Sequence, residues 1–213
     1  MSFILGIIYL SFISLGLPDA LLGAAWPNIY PEFQVPVSYA GMVSMIISFG
    51  TIVSSLQSDR LTRKFGTGMV TAASVAMTAL ALWGFSISHS FISLCLWAIP
   101  YGLGSGSVDA SLNNYVALHY TSKHMSWLHC MWGVGTTIGP YIMGAALTGG
   151  ATWNAGYRMI SILQIVLTAI LVWRLPKWKT QTDGSAEAQR GQALSLREIL
   201  AIPGAKAIML CFF

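Results

Sequence analysis

Six runs of about 20 predominantly apolar residues, joined by short connections, dominate this chain: Phe3–Trp26, Ser38–Ser58, Gly66–Ser86, Phe91–Ala117, Met125–Thr148 and Tyr157–Leu175. Each is long enough to cross the hydrocarbon layer of a bilayer as a helix. Inside lipid no water satisfies the backbone, so a spanning segment must close its own hydrogen bonds, as a helix does. The expected fold is an all-α membrane protein built on a six-helix bundle. Composition agrees: 55% of residues are hydrophobic and only 8% charged, with a mean hydropathy of +0.66. Soluble domains carry about 25% charged residues. A water-soluble globular class is therefore excluded, and no basic, aromatic-interleaved patch of the kind nucleic acid requires is present.

The connections carry the expected punctuation. Pro27, Pro31 and Pro36 break the chain after the first span, Gly66 and Gly68 open the third, and Gly149 and Gly150 close the fifth. The net charge of +4 is informative loop by loop. Arg60, Arg63 and Lys64 follow the second span, Lys123 the fourth, and Arg174, Lys177 and Lys179 the sixth, whereas Arg158 stands alone on the other side. The positive-inside rule puts the N-terminus and these basic loops in the cytoplasm of a cell-membrane protein. Trp26, Tyr30 and Trp153 are read as one interfacial belt and Trp173 and Trp178 as the other. The N-terminus lacks the basic region and cleavage site of a secretory signal, and its apolar run is too long for one.

Residues 1–175 thus form the six-span bundle and residues 176–203 a polar cytoplasmic linker. Ser195-Leu196-Arg197-Glu198 has capping-box spacing and predicts a short helix to Ile202, interrupted by Pro203-Gly204. Residues 204–213 read as the start of a seventh span that stops at about half the length a span needs. The expectation is a chain that continues, with a C-terminal half as its partner.

Two carboxylates stand inside the spans, Asp19 in the first and Asp109 in the fourth. An acid at bilayer depth costs several kcal/mol unless paired, protonated or facing a wet cavity, and it marks a proton, ion or substrate path. In the fourth span Ala98, Gly102, Gly106 and Ala110 recur every four residues, a small-residue stripe that admits another helix closely. Ser105, Asp109 and Asn113 form a polar stripe beside it. Asp19 lies between Gly16 and Gly23, with Pro18 loosening the local backbone. The two acids sit on the first helices of two three-span units, as in transporters built from three-plus-three inverted repeats with a midplane site.

After the second span comes Ser55-Leu56-Gln57-Ser58-Asp59-Arg60-Leu61-Thr62-Arg63-Lys64-Phe65-Gly66. Asp59 lies at a helix C-terminus, where the macrodipole disfavours an anion, so it needs cationic partners. This segment resembles the loop signature G-x-x-x-D-R-x-G-R-K of the major facilitator superfamily, with Asp59, Arg60, Arg63 and Lys64 matching and Ser55 and Thr62 replacing glycines. The resemblance implies the N-terminal half of a twelve-span fold, with the motif as a cytoplasmic gate. Within the fifth span, Leu128-His129-Cys130-Met131-Trp132-Gly133-Val134-Gly135, followed by Gly139-Pro140, looks like the H-x-x-x-G-x-G-x-x-x-G-P pattern of the fucose–proton symporter branch. That branch implies proton coupling and sugar binding by acids in helices 1 and 4, here Asp19 and Asp109, with Asn113 and Asn114 following. The arginine that many antiporters of the superfamily carry in helix 4 is not evident, which weighs against drug efflux.

His129 shares a face with Gly133, Thr136 and Pro140. It is read either as a hydrogen-bonded packing residue or as a proton carrier. Trp97 and Trp132 are read as lipid or packing residues, with stacking on a sugar ring as the functional alternative. His89, His119 and His124 near the span ends are expected to be solvated. Cys95, Cys130 and Cys211 match no metal-ligand spacing and read as small packing residues. A six-span intramembrane enzyme is the distant alternative, but neither a G-x-S-x-G elbow nor an H-E-x-x-H motif occurs. The expected function is secondary active transport of a small solute, a sugar, by proton symport with alternating access. The nearer alternative is a drug or metabolite efflux carrier, and no cofactor or metal is called for.

Overall fold

Pro18 removes one backbone donor from the first helix, and the helix stops one residue later. The computed structural model describes residues 3–186 and 201–204, with side chains over residues 4–173 and 201–204. Helix α1 spans Phe3–Asp19 and α2 resumes at Leu21–Glu32, separated only by Ala20. Together they make one membrane-length segment, Ile4–Glu32. The expected end at Trp26 is thereby corrected, because Pro27 and Pro31 both lie inside α2. Membrane helices accommodate proline more readily than soluble ones. What ends α2 is a left-handed residue: Gln34 has φ 53°, its N–H reaches the Pro31 carbonyl, and that of Val35 reaches Tyr30. This is the Schellman arrangement, which satisfies carbonyls left over at a helix end.

The remaining helices are α3 (Tyr39–Phe65), α4 (Thr67–Ser86), α5 (Phe91–His119), α6 (Ser122–Thr148) and α7 (Trp153–Ala186). Helix α3 runs seven residues past the expected Ser58, so Asp59, Arg60, Arg63 and Lys64 are helical rather than in a loop. Gly66 alone separates α3 from α4, with φ 81° and ψ 151°, a region open essentially to glycine. Gly66→Ala is expected to lower stability by about 1–3 kcal/mol, read as a drop in thermal unfolding midpoint in detergent. Gly150, at φ 80°, closes α6 as Gln34 closes α2: its N–H bonds to Leu147 and that of Ala151 to Ala146.

Five of the six long segments among the described residues are apolar enough to span a membrane by length and composition. The sixth, α6, has the length, at 27 residues, but carries His124, His129, Thr136 and Thr137. Two compact units divide the chain after Lys179. In the first, α1 and α2 lie on α6, and α5 lies on both α3 and α4. One hydrophobic core gathers around α2 with Phe85, Tyr101 and Tyr157; the other joins Ile8 and Phe12 to Leu112, Leu128 and Leu167. In the second unit the end of α7 is helical, as is Ala201, and Gly204 turns at φ 89°. The α7 backbone thus stays helical past the expected boundary at Leu175. The capping box at Ser195 and the seventh-span start at 205–213 lie outside the described residues.

The tryptophans read as interfacial differ in their packing. Trp26 and Trp153 are buried, and each indole N–H has a protein partner: Trp26 donates to the Val37 carbonyl at 2.8 Å, and Trp153 to Glu32 Oε2 at 2.6 Å. Trp173 is 72% exposed. The reading of the cysteines as packing residues fails at Cys130, which is exposed, while Cys95 is half-buried; Cys211 lies outside the described residues. His124 is bonded rather than simply solvated, its Nδ1 lying 3.1 Å from the Tyr9 hydroxyl.

Candidate functional site

The site is framed by two glycine seams. On the first, α1 meets α6: a Cβ on Gly135 would strike the Ile13 carbonyl, one on Gly139 the Leu17 carbonyl, and one on Gly16 the Trp132 carbonyl. Removing side chains there brings two backbones together, which is how small residues drive helix association in lipid. On the second seam, Gly102 and Gly106 of α5 abut the Ile47 and Thr51 carbonyls of α3. Hydroxyls of α3 reinforce it. Ser54 Oγ lies 2.8 Å from Ser107 Oγ, and Ser55 donates to the Gly106 carbonyl at 3.2 Å. Ser55 stands where the superfamily signature has glycine; here a hydrogen bond does the work of close packing. Pro140 lies away from both seams, lining a shallow outer hollow with Tyr141 and Gly144.

Between the seams lies a cavity of about 290 Å³. Helix α1 contributes Phe12, Leu15 and Asp19; α3 contributes Thr51; α5 contributes Ser105 and Asp109; α6 contributes His129 and Trp132. Asp19, Asp109 and His129 are therefore brought together, though 90 residues of sequence separate the two acids. Among the described residues no lysine or arginine lines the cavity.

Asp19 sits at the α1 break with both oxygens engaged. The Tyr101 hydroxyl donates to Oδ1 at 2.9 Å and the Trp132 indole N–H to Oδ2 at 2.8 Å. Sequence reading missed Tyr101 altogether and left Trp132 as a packing or stacking residue. Neither has a spacing relation to Asp19 that could have signalled the contact. Asp109 accepts from Asn113 Nδ2 at 3.0 Å, one turn along the same helix, as the polar stripe foretold. Asn113 Oδ1 is buried without a hydrogen-bond partner among the described residues. Such an acceptor is a place where a water or ligand hydroxyl gains a bond. Asn114 is exposed and is not among the residues that line the cavity. His129 meets the Phe12 ring edge-on at 6.1 Å. Trp97 packs onto Gly84 of α4, where any Cβ would overlap its ring.

At the far end of α3, Arg63 Nε lies 3.0 Å from Asp59 Oδ2 in an i,i+4 pair with both side chains about half exposed. An exposed pair of this kind contributes a few tenths of a kcal/mol, so its value is in geometry. Arg60 is exposed, and Lys64 Nζ sits 5.2 Å from the Phe65 ring centroid. Among the described residues no cluster of three His, Cys, Asp or Glu side chains is placed to hold a metal ion.

A bundle of membrane-length helices around a polar, acid-lined hollow defines an integral membrane protein. The sequence pattern of the Major Facilitator Superfamily matches residues 8–213, and the chain belongs to that family. It is 24% identical over 154 residues to the cis,cis-muconate transport protein of Acinetobacter baylyi, covering 71% of this chain and 37% of that protein. It is 25% identical over 174 residues to citrate exporter 1 of Yarrowia lipolytica (79% and 25%). The hexuronate transporter of Bacillus subtilis is 20% identical over 168 residues (78% and 40%). The chain thus matches between 25% and 40% of the length of these relatives.

Proposed function

We propose that this chain forms one half of a proton-coupled secondary transporter for a small hydroxylated solute, a sugar in the first instance, working by alternating access from a cell membrane. The observation that carries this reading is the meeting of Asp19 and Asp109, from the first helices of two three-helix units, in a single cavity. Asp19 already accepts two hydrogen bonds, which suits it to holding the binding wall in shape. Asp109 accepts one among the described residues and keeps lone pairs for a proton, with His129 beside it on the cavity wall. Ser105 offers a donor and an acceptor to solute hydroxyls and Trp132 a ring face, while Asn113 holds the Asp109 carboxylate. The fucose-branch pattern around His129 and Gly135 supports a sugar. The basic residues in the last two turns of α3, and Lys123 in the first turn of α6, support a cytoplasmic N-terminus. Asp59, Arg60, Arg63 and Lys64 are assigned to the inner gate, with the C-terminal half completing the cavity.

A second reading rests on the relatives, whose names specify muconate, citrate and hexuronate. It makes the solute an organic acid, and the citrate exporter extends it to efflux. The acid-lined wall argues against it, since an anion there needs cations supplied from elsewhere.

The deciding experiment loads the intact protein into proteoliposomes containing a pH-sensitive dye. Under this proposal neutral monosaccharides drive proton influx and aliphatic dicarboxylates do not. Proton movement with dicarboxylates alone would replace it with the organic-acid reading, and solute-linked proton efflux would replace symport with antiport.

A further inference from the structure

In a regular helix the N–H of residue 18 would bond to the carbonyl of residue 14. Pro18 has no N–H, so the Ser14 carbonyl is left without its intrahelical donor at a depth where water is scarce. The donor comes from another helix. Gln164 of α7, only 1% exposed, donates from Nε2 to the Ser14 carbonyl at 2.9 Å. Its Oε1 accepts from the Thr78 hydroxyl of α4 at 2.8 Å. The amide is thus oriented at both ends, across three helices, and its N–H points at the carbonyl that proline orphans. One residue beyond Pro18 is Asp19, whose two oxygens meet Tyr101 and Trp132.

We propose that Gln164 is a positioning residue for the cavity. It supplies the hydrogen bond that Pro18 cannot, holds α1 in its broken form, and so presents Asp19 to its two donors. Gln164 does not line the cavity and touches neither acid. The competing explanation is that Gln164 only ties α7 to the bundle. Proline separates the two. If Gln164 stands in for a missing backbone N–H, then Pro18→Ala, which restores that N–H, makes Gln164 dispensable; if it serves packing alone, the two substitutions act independently and their effects add.

The test uses the intact protein with 5-fluorotryptophan incorporated, in detergent or nanodiscs, and reads the fluorine resonance of Trp132, assigned through Trp132→Phe. Gln164→Met keeps the volume and leaves Thr78 the Val75 carbonyl as acceptor at 2.9 Å, so the Ser14 carbonyl is the group orphaned. The expected result is a displaced Trp132 resonance and a lowered unfolding midpoint in Gln164→Met. In the double variant Pro18→Ala/Gln164→Met, both readings should coincide with those of Pro18→Ala alone. An unmoved Trp132 resonance in Gln164→Met, or additive losses in the double variant, overturns the proposal. Should Gln164→Met not fold, the double variant decides: folding supports the substitution of one donor for another, and failure to fold refutes it. The readout does not involve transport, so it stands whatever the uptake assay returns.

Discussion

Asp109→Asn is expected to leave a carrier that exchanges solute across the membrane but no longer accumulates it on a proton gradient. The amide has nearly the shape of the carboxylate, and its oxygen still accepts from Asn113 Nδ2, now 3.0 Å from Asp109 Oδ1. What it cannot do is bind and release a proton. For one proton per solute, each pH unit of gradient sustains about tenfold accumulation, so the variant's ratio should fall to about one while counterflow persists. The measurement pairs gradient-driven uptake with counterflow, using a monosaccharide that drives proton influx in the unaltered protein. Full accumulation by Asp109→Asn would remove Asp109 as the proton site and turn attention to Asp19. Asp19→Asn should behave differently. It leaves one acceptor oxygen for two donors, Tyr101 and Trp132. A buried hydroxyl deprived of its partner costs about 1–3 kcal/mol, so its main effect should fall on solute affinity and stability.

The largest structural effect should come from the α1–α6 seam. A Cβ on Gly135 would sit on the Ile13 carbonyl and 3.0 Å from Gly16 Cα; on Gly139 it would press the Leu17 carbonyl group. These are backbone atoms, which no rotamer change moves aside, so relief requires the two helices to part. Overpacking of this kind costs typically about 1–3 kcal/mol per site, occasionally more. The double substitution Gly135→Ala/Gly139→Ala should therefore fail to yield a monodisperse protein in detergent. Gly133 and Gly144 on the same helix leave open space where a Cβ would stand, with nothing within 4 Å, and alanine there should change stability by no more than about 0.5 kcal/mol. Thermal unfolding of the four single alanine variants distinguishes the two pairs. Equal midpoints would show that the seam is not closely packed.

Much of this arrangement follows from local chemistry. Membrane-length apolar runs enforce helices because nothing else satisfies a backbone in lipid. Gly66 and Gly150 mark helix ends because few other residues accept their backbone angles. The four-residue recurrence of Gly102 and Gly106 anticipated a close helix approach on that face, without saying which helix, and that of Asp109 and Asn113 anticipated a hydrogen-bonding face, since a helix brings such positions together. Proline was the misleading signal. Pro27 and Pro31 suggested a break that α2 does not make, while Pro18 stands next to the break that does occur. Tryptophan gave no sign of its partners. Trp26 and Trp153 are both buried with indole acceptors at Val37 and Glu32, and Trp153 finds its own 121 residues away.

The sequence by itself determined a membrane-embedded helical chain, the faces of its helices, and the presence of two acids that lipid would not tolerate idle. Those properties depend on residues within a single helix. Only the tertiary structure decided that Asp19 and Asp109 share one cavity with His129, that Tyr101 and Trp132 hold Asp19, and that Gln164 completes the backbone Pro18 interrupts. Helical periodicity states which way a side chain points along its own axis. It carries no information on which neighbour that face will meet, because that choice is made by backbone approach across the glycine seams.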